Sequence, residues 1–185
     1  MASLFLAAPD RSFAQYDTRS PTPELLSALK LGQWIQVGGV PQRDGSLLCT
    51  EVKLVTGDFL DDDWALRGVV RGLDQARREF AVGRYPVRLK EPVEYDDGSV
   101  GKLRGFSDLH EGMLVKLEGT YMKDGSFLCK EINDESDKLA RKPGVEKKIH
   151  VQAKIERVDP GKRSITAMGM TFFVTNNTKV MSAIR

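Results

Sequence analysis

Cysteine and histidine are scarce in this chain of 185 residues, which has only Cys49, Cys129, His110 and His150. No CxxC pair occurs, which excludes a zinc ribbon and a disulfide framework. Neither histidine sits in a recognisable metal-ligand motif, and no nucleophile elbow or other catalytic signature appears. No catalytic residue, metal site or cofactor is therefore assigned, and an enzyme is not expected. Long apolar runs are also missing, since none approaches the roughly 18 residues a membrane span needs. The acidic run Asp58, Asp61, Asp62 and Asp63 lacks the spacing of a calcium loop and reads as a solvated connector. Charge of one sign is lacking as well. The formal net charge is +2, with 28 basic and 26 acidic side chains, too little for the electrostatic footprint of a DNA binder.

What is present is an internal duplication with a period of roughly 80 residues. Residues 29–52 and 109–132 match without a gap. Leu29, Gly32, Gly39, Asp44, Gly45, Ser46, Leu48, Cys49 and Glu51 recur as Leu109, Gly112, Gly119, Asp124, Gly125, Ser126, Leu128, Cys129 and Glu131. Each copy reads as a β-hairpin. Trp34 to Val40 and Met113 to Tyr121 alternate apolar and polar residues, the period of a half-buried strand. An Asp-Gly turn follows in each, because glycine accepts positive φ without a Cβ clash. Leu47–Leu54 and Phe127–Ile132 return as strands. Pro23, behind a Thr22 cap, opens a short helix before the first hairpin.

A looser second match pairs Leu66–Val82 with Val151–Ala167. Both predict a strand, a turn centred on Asp74 or Asp159, and a second strand rich in β-branched and aromatic residues. Third strands are expected at Tyr85–Leu89 and Met170–Thr175, and a helical turn before Pro143-Gly144. The fold class is mainly β, with two tandem five-stranded OB-like barrels and short helices. Residues 65–135 form one contiguous barrel, and 22–55 plus 149–180 form a discontinuous one closed by the two outer parts of the chain. Two sequential, permuted units are the alternative, and the first arrangement is preferred. Residues 1–21 are a flexible N-terminus or the remnant of a signal peptide.

The positions Gly68, Val70, Asp74, Phe80, Val82, Val87, Leu109, Gly112, Val115, Gly119, Asp124, Gly125, Ser126, Cys129 and Ile132 together resemble the bacterial DUF5666 repeat. That family's module is OB-like and its function unassigned. The resemblance implies fold rather than chemistry, because its motif positions are glycines, turns and core residues. Proteins of that kind commonly carry export signals. This agrees with Ala2 to Pro9 (ASLFLAAP) and Ser12-Phe13-Ala14, which resemble the end of a secretory signal cleaved after Ala14. A weaker similarity of Leu109–Glu135 to the OB-fold haem chaperones lacks the histidine to which those proteins attach haem.

Cys49 and Cys129 are read as buried, alanine-like core residues, and the histidines as structural or surface residues. The basic residues of the two meanders carry the remaining expectation. Arg67, Arg71, Arg77, Arg78, Tyr85, Lys154, Arg157 and Arg163 are candidates for a ligand or nucleic-acid surface, since OB barrels bind single strands with aromatics beside a positive groove. The expected function is a non-catalytic, periplasmic or secreted binding or structural module with an unidentified protein or ligand partner. The alternative is a cytoplasmic single-stranded nucleic-acid binder. Oligomeric state is not readable.

Overall fold

The computed structural model describes residues 23–55, 64–96 and 103–182. The signal-like segment Ala2–Ala14, the Thr22 cap and the acidic run Asp58–Asp63 lie outside the described residues. The elements in chain order are α1 (Pro23–Ala28), β1 (Trp34–Pro41), β2 (Leu47–Leu54), β3 (Trp64–Asp74), β4 (Glu79–Val82) and β5 (Tyr85–Asp96). Then follow β6 (Leu114–Tyr121), β7 (Phe127–Asp134), α2 (Asp137–Arg141), β8 (Ile149–Asp159), β9 (Ser164–Ala167), β10 (Met170–Phe173) and β11 (Lys179–Ser182). The chain is mainly β. No helix among the described residues is long and apolar enough to cross a membrane.

Strands β3, β4, β5, β7 and β6 form a closed five-stranded barrel. Neighbours pair antiparallel except β5 and β7, which run parallel, and β6 returns to β3. The strands outside that ring trace a second circuit in the same order. β8 pairs with β9, β9 with β10, β10 in parallel with β2, β2 with β1, and β1 with β8. The circuits meet where β3 and β8 pair antiparallel through Ala65↔Gln152, Leu66↔Val151 and Arg67↔His150.

The recurrent residues do the same work in both circuits. Asp44 Oδ1 accepts from the Ser46 N–H and hydroxyl, as Asp124 Oδ1 does from Ser126. Gly45 and Gly125 take φ 82° and 83°, the left-handed region that glycine enters without strain. The N–H of Gly32 donates to Ile155 O and that of Gly112 to Val70 O, which seats each hairpin on the bend of its circuit's long strand. Both hairpins are bulged, at Gly38/Gly39 and Glu118/Gly119. There the backbones approach so closely that a Cβ on Gly119 would lie 2.1 Å from Leu128 O.

The alternating residues of each strand fill the interior. Ile35, Val37, Val52, Ile165 and Phe172 are buried in one circuit, and Leu66, Val70, Phe80, Leu117 and Phe127 in the other. Burying a side chain of this size contributes about 1.5–3 kcal/mol. Leu26 and Leu29, from α1 and the residue beyond it, cover the first interior, and Leu103, Phe106 and Leu109 cover the second.

Strands β5, β10 and β11 depart from expectation. β5 continues to Asp96 instead of ending at Leu89, crossing Pro92 where the pairing with β7 is irregular between Leu89 and Glu94. A bulge tolerates the missing proline N–H that a regular ladder would not. β11 lies in parallel against β2 and carries no alternation long enough to announce a strand. β10 ends at Phe173 rather than Thr175.

Gly119→Ala is expected to lower stability by about 1–3 kcal/mol, since the new methyl group meets backbone that cannot move aside. Gly105→Ala, where nothing lies within 4 Å, serves as the neutral control. Urea midpoints of the two variants check the difference.

Candidate ligand-binding surface

Among the described residues, polar side chains gather in a groove and in a smaller cleft. The larger is a groove of about 370 Å³ on the outside of β8, β9 and β10. Register builds it. Arg157 on β8 stands opposite Thr166 on β9, which stands opposite Thr171 on β10. The next row is Asp159, Ser164 and Phe173. The turn Asp44-Gly45-Ser46 forms one wall, while Lys162 and, from the other circuit, Arg84 add positive charge. The Asp44 carboxyl is held below its ordinary value by the Ser46 hydroxyl and N–H that it accepts, so it stays ionised. Arg157 pairs with Asp159 at 3.5 Å. Arg84 and Lys162 have no ion-pair partner among the described residues.

The same face of the other circuit is built differently. Its row is Arg71, Ala81 and Pro86. Its cations are mostly engaged, with Arg88 on Asp124 at 3.0 Å, Arg78 on Glu91 at 2.7 Å and Arg77 near Asp74 at 3.8 Å. The duplicated surface has diverged in chemistry, while the duplicated core has changed its side chains and stayed apolar.

The second place is a cleft of about 120 Å³ over the seam between the circuits. Register again aligns one row across six strands: Glu51, Gly38, His150, Arg67, Lys116 and Asn133. Nε2 of His150 donates to Glu51 Oε1 at 2.7 Å. The imidazole lies directly on Gly38, where a Cβ would come within 2.4 Å of its Cδ2. Arg67 faces Glu135 at 3.5 Å, and Lys116 bonds Glu118. The hydrogen bond from His150 holds the Glu51 carboxyl down at about 2. Burial lowers the imidazole below 6.5, and Arg67 and Lys148 nearby push the same way, against the raising influence of Glu51. A neutral imidazole donating to an ionised carboxylate is the state these shifts describe.

The eight residues expected on a ligand surface do not share one. Arg157 lines the groove and Arg67 the seam cleft. Arg71 is exposed on the equivalent face of the other circuit. Arg77 and Arg78 are held at the β3–β4 turn, and Arg78 also lies 5.6 Å from the Phe106 ring centre. Lys154 sits 5.3 Å over Trp34. Arg163 occupies the β8–β9 turn with φ 51°. Tyr85 is corrected outright: only 2% exposed, it belongs to the core. Its hydroxyl donates to Met168 O at 2.7 Å, tying the two circuits together.

Sequence reasoning weighed Arg84 among the basic residues of the meanders without singling it out, and it passed over the hydroxyl rows of the groove and the Glu51–His150 pair. The one available signal was comparison of the copies, since Thr166 and Thr171 fall where the first meander has Ala81 and Pro86. The cysteines are buried, as expected of core residues. Desolvation pushes both thiols up to about 12.

The class is thus a duplicated β protein containing a closed five-stranded barrel. Residues 14–53 and 67–133 match the family described as Domain of unknown function (DUF5666), which is more than half of the chain. The chain belongs to that family. No curated protein and no solved structure matches it.

Two outcomes follow from the charges. His150 keeps its proton less readily folded than unfolded, so stability falls as pH drops below 6.5. Glu51 contributes stability above its unfolded value of 4.5, which is lost as pH falls from there toward about 2. His150→Gln keeps a donor for Glu51 and should flatten the urea midpoint between pH 7 and 5 while leaving the lower limb. Separately, neither thiol should react with a disulfide reagent at pH 8 until the protein unfolds, as thiol titration in and out of denaturant reads directly.

Proposed function

We propose that the protein is a non-catalytic, extracytoplasmic binding module that holds its ligand in the groove over β9 and β10. In this reading it consists of two OB-like barrels, one contiguous over 65–135 and one assembled from 22–55 and 149–180. The observation that carries it is the groove itself. It is lined by hydroxyl side chains on β9 and β10 and by charged side chains from β8 and the flanking turns, while the equivalent face of the other circuit pairs most of its cations with its own carboxylates. Rigid strands hold such groups in place better than loops do.

Strand order supports the OB-like assignment, since both circuits run first, second, third, fifth, fourth, with the third and fifth parallel. OB barrels use the face of their second and third strands, with the flanking turns, to bind extended chains. The protonated, buried thiols supply no nucleophile, which supports a non-catalytic role. Export is supported by the composition of Ala2–Ala14 and by the family's usual setting. A second reading, a cytoplasmic single-stranded nucleic-acid binder, draws on Arg84, Arg157, Lys162 and the aromatic Phe173 in the same groove.

Amide-shift titrations against a thymidine oligomer, a neutral oligosaccharide and an acidic oligosaccharide test the site. Shifts confined to β9, β10 and residues 44–46 are expected with at least one of these. Shifts centred on the β4–β5 face overturn the assignment of the groove. Fractionation of the source cells should give a product beginning near Gln15 outside the cytoplasm; a cytoplasmic product with Met1 intact removes the export argument.

A further inference from the structure

We infer that the groove takes an acidic oligosaccharide, a chain of sugar rings carrying carboxylates, rather than a nucleic acid. This rests on the reading of the groove as the binding surface. Its chemistry comes from how the two copies differ.

Three features decide between the ligand classes. First, the groove holds two carboxylates, Asp44 and Asp159, beside its three cations. Asp159 is occupied, accepting from the Lys162 N–H and facing Arg157. Asp44 uses Oδ1 for its own turn. Both chains are anionic and meet the same repulsion from these carboxylates, but a phosphodiester backbone has no donor to offer them, whereas every sugar hydroxyl is both donor and acceptor.

Second, Thr166, Thr171, Ser164 and Ser46 line the same groove. The row of Arg157, Thr166 and Thr171 across three strands places a charge and two hydroxyls at strand spacing, about 4.8 Å apart. Its counterpart has Ala81 and Pro86 and no hydroxyl. Third, one aromatic ring, Phe173, lines the groove. A single-strand binder stacks successive bases and needs successive rings. One ring suffices as a platform for the apolar face of one sugar. Arg84 and Arg157 then account for carboxylates on the chain through guanidinium forks, which bind them bidentately, and Lys162 adds a point charge.

Binding of an oligogalacturonate hexamer, its methyl-esterified neutral form and a thymidine hexamer is measured by calorimetry at low salt. The uronate chain is expected to bind at least tenfold tighter than either comparator. An Arg157→Ala, Lys162→Ala double variant and a Thr166→Ala, Thr171→Ala double variant should each weaken uronate binding tenfold or more, with Arg71→Ala on the other circuit as an unaffected control.

Equal binding of the neutral ester, tighter binding of the thymidine hexamer, or no uronate binding overturns the ligand class and leaves the groove as the site to be tested by the other probes. Uronate binding that is unchanged in both groove variants overturns the site itself. Thermal melting of each variant in the absence of ligand distinguishes lost contacts from lost fold.

Discussion

A long, bent first strand is the constraint on which the molecule turns. β3 pairs with β6 along its first half and with β4 along its second, and β8 does the same with β1 and β9. Each strand thereby closes its circuit, but the other edge of each first half is left without a neighbour. An unpaired edge is a row of unsatisfied backbone donors and acceptors, and a template for aggregation. Here the two edges satisfy one another through three residue pairs centred on Leu66 and Val151, which are 0% and 2% exposed. The contacts around the seam follow from this. Ile149 packs so closely on Gly68 and Gly83 that a Cβ at either would come within 3 Å of it. Tyr85 and Tyr121 reach the Met168-Gly169 turn. The row from Glu51 to Asn133 is continuous because the sheet is.

Duplication set two faces of the same shape, and their side chains then parted. The glycines, Asp-Gly turns and buried thiols recur because both circuits need the same bulge, turn and filling. On the outer faces no such need operates. One face pairs most of its cations with its own carboxylates, while the other pairs Arg157 and keeps Arg84, Lys162, hydroxyls and a ring beside a cavity. The seam shows the same divergence at closer range. His150 rests on Gly38 in one circuit, whereas the corresponding positions of the other are Ala65 and Glu118.

The hairpins were legible in the sequence because their signals are local: alternation, an Asp-Gly turn, and a repeat with both cysteines in register. The meanders were legible from β-branched strands on either side of Asp74 and Asp159. What escaped was whatever depends on pairing. β11 gains its strand character from lying beside β2. Arg157 meets Thr166 only because β8 is bulged between Ile155 and Arg157. Glu51 and His150 lie far apart in the chain, and their meeting depends on β1 being threaded between β2 and β8. A list of basic residues therefore scattered over the surface, and the tyrosine it included went inside.

The interleaved path of the strands also sets an order of events during synthesis. β3 through β7 lie in one unbroken stretch, so that barrel can close as soon as Asp134 is made. The hairpin of β1 and β2, translated earlier, has its other partners in β8, β10 and β11, which begin about half a chain length later. Until then it is a two-stranded ribbon, marginal by itself in water, and must wait beside a finished neighbour. The last strands to emerge complete the oldest part of the protein, and a chain stopped before Ile149 would leave a finished barrel attached to an unmatched hairpin.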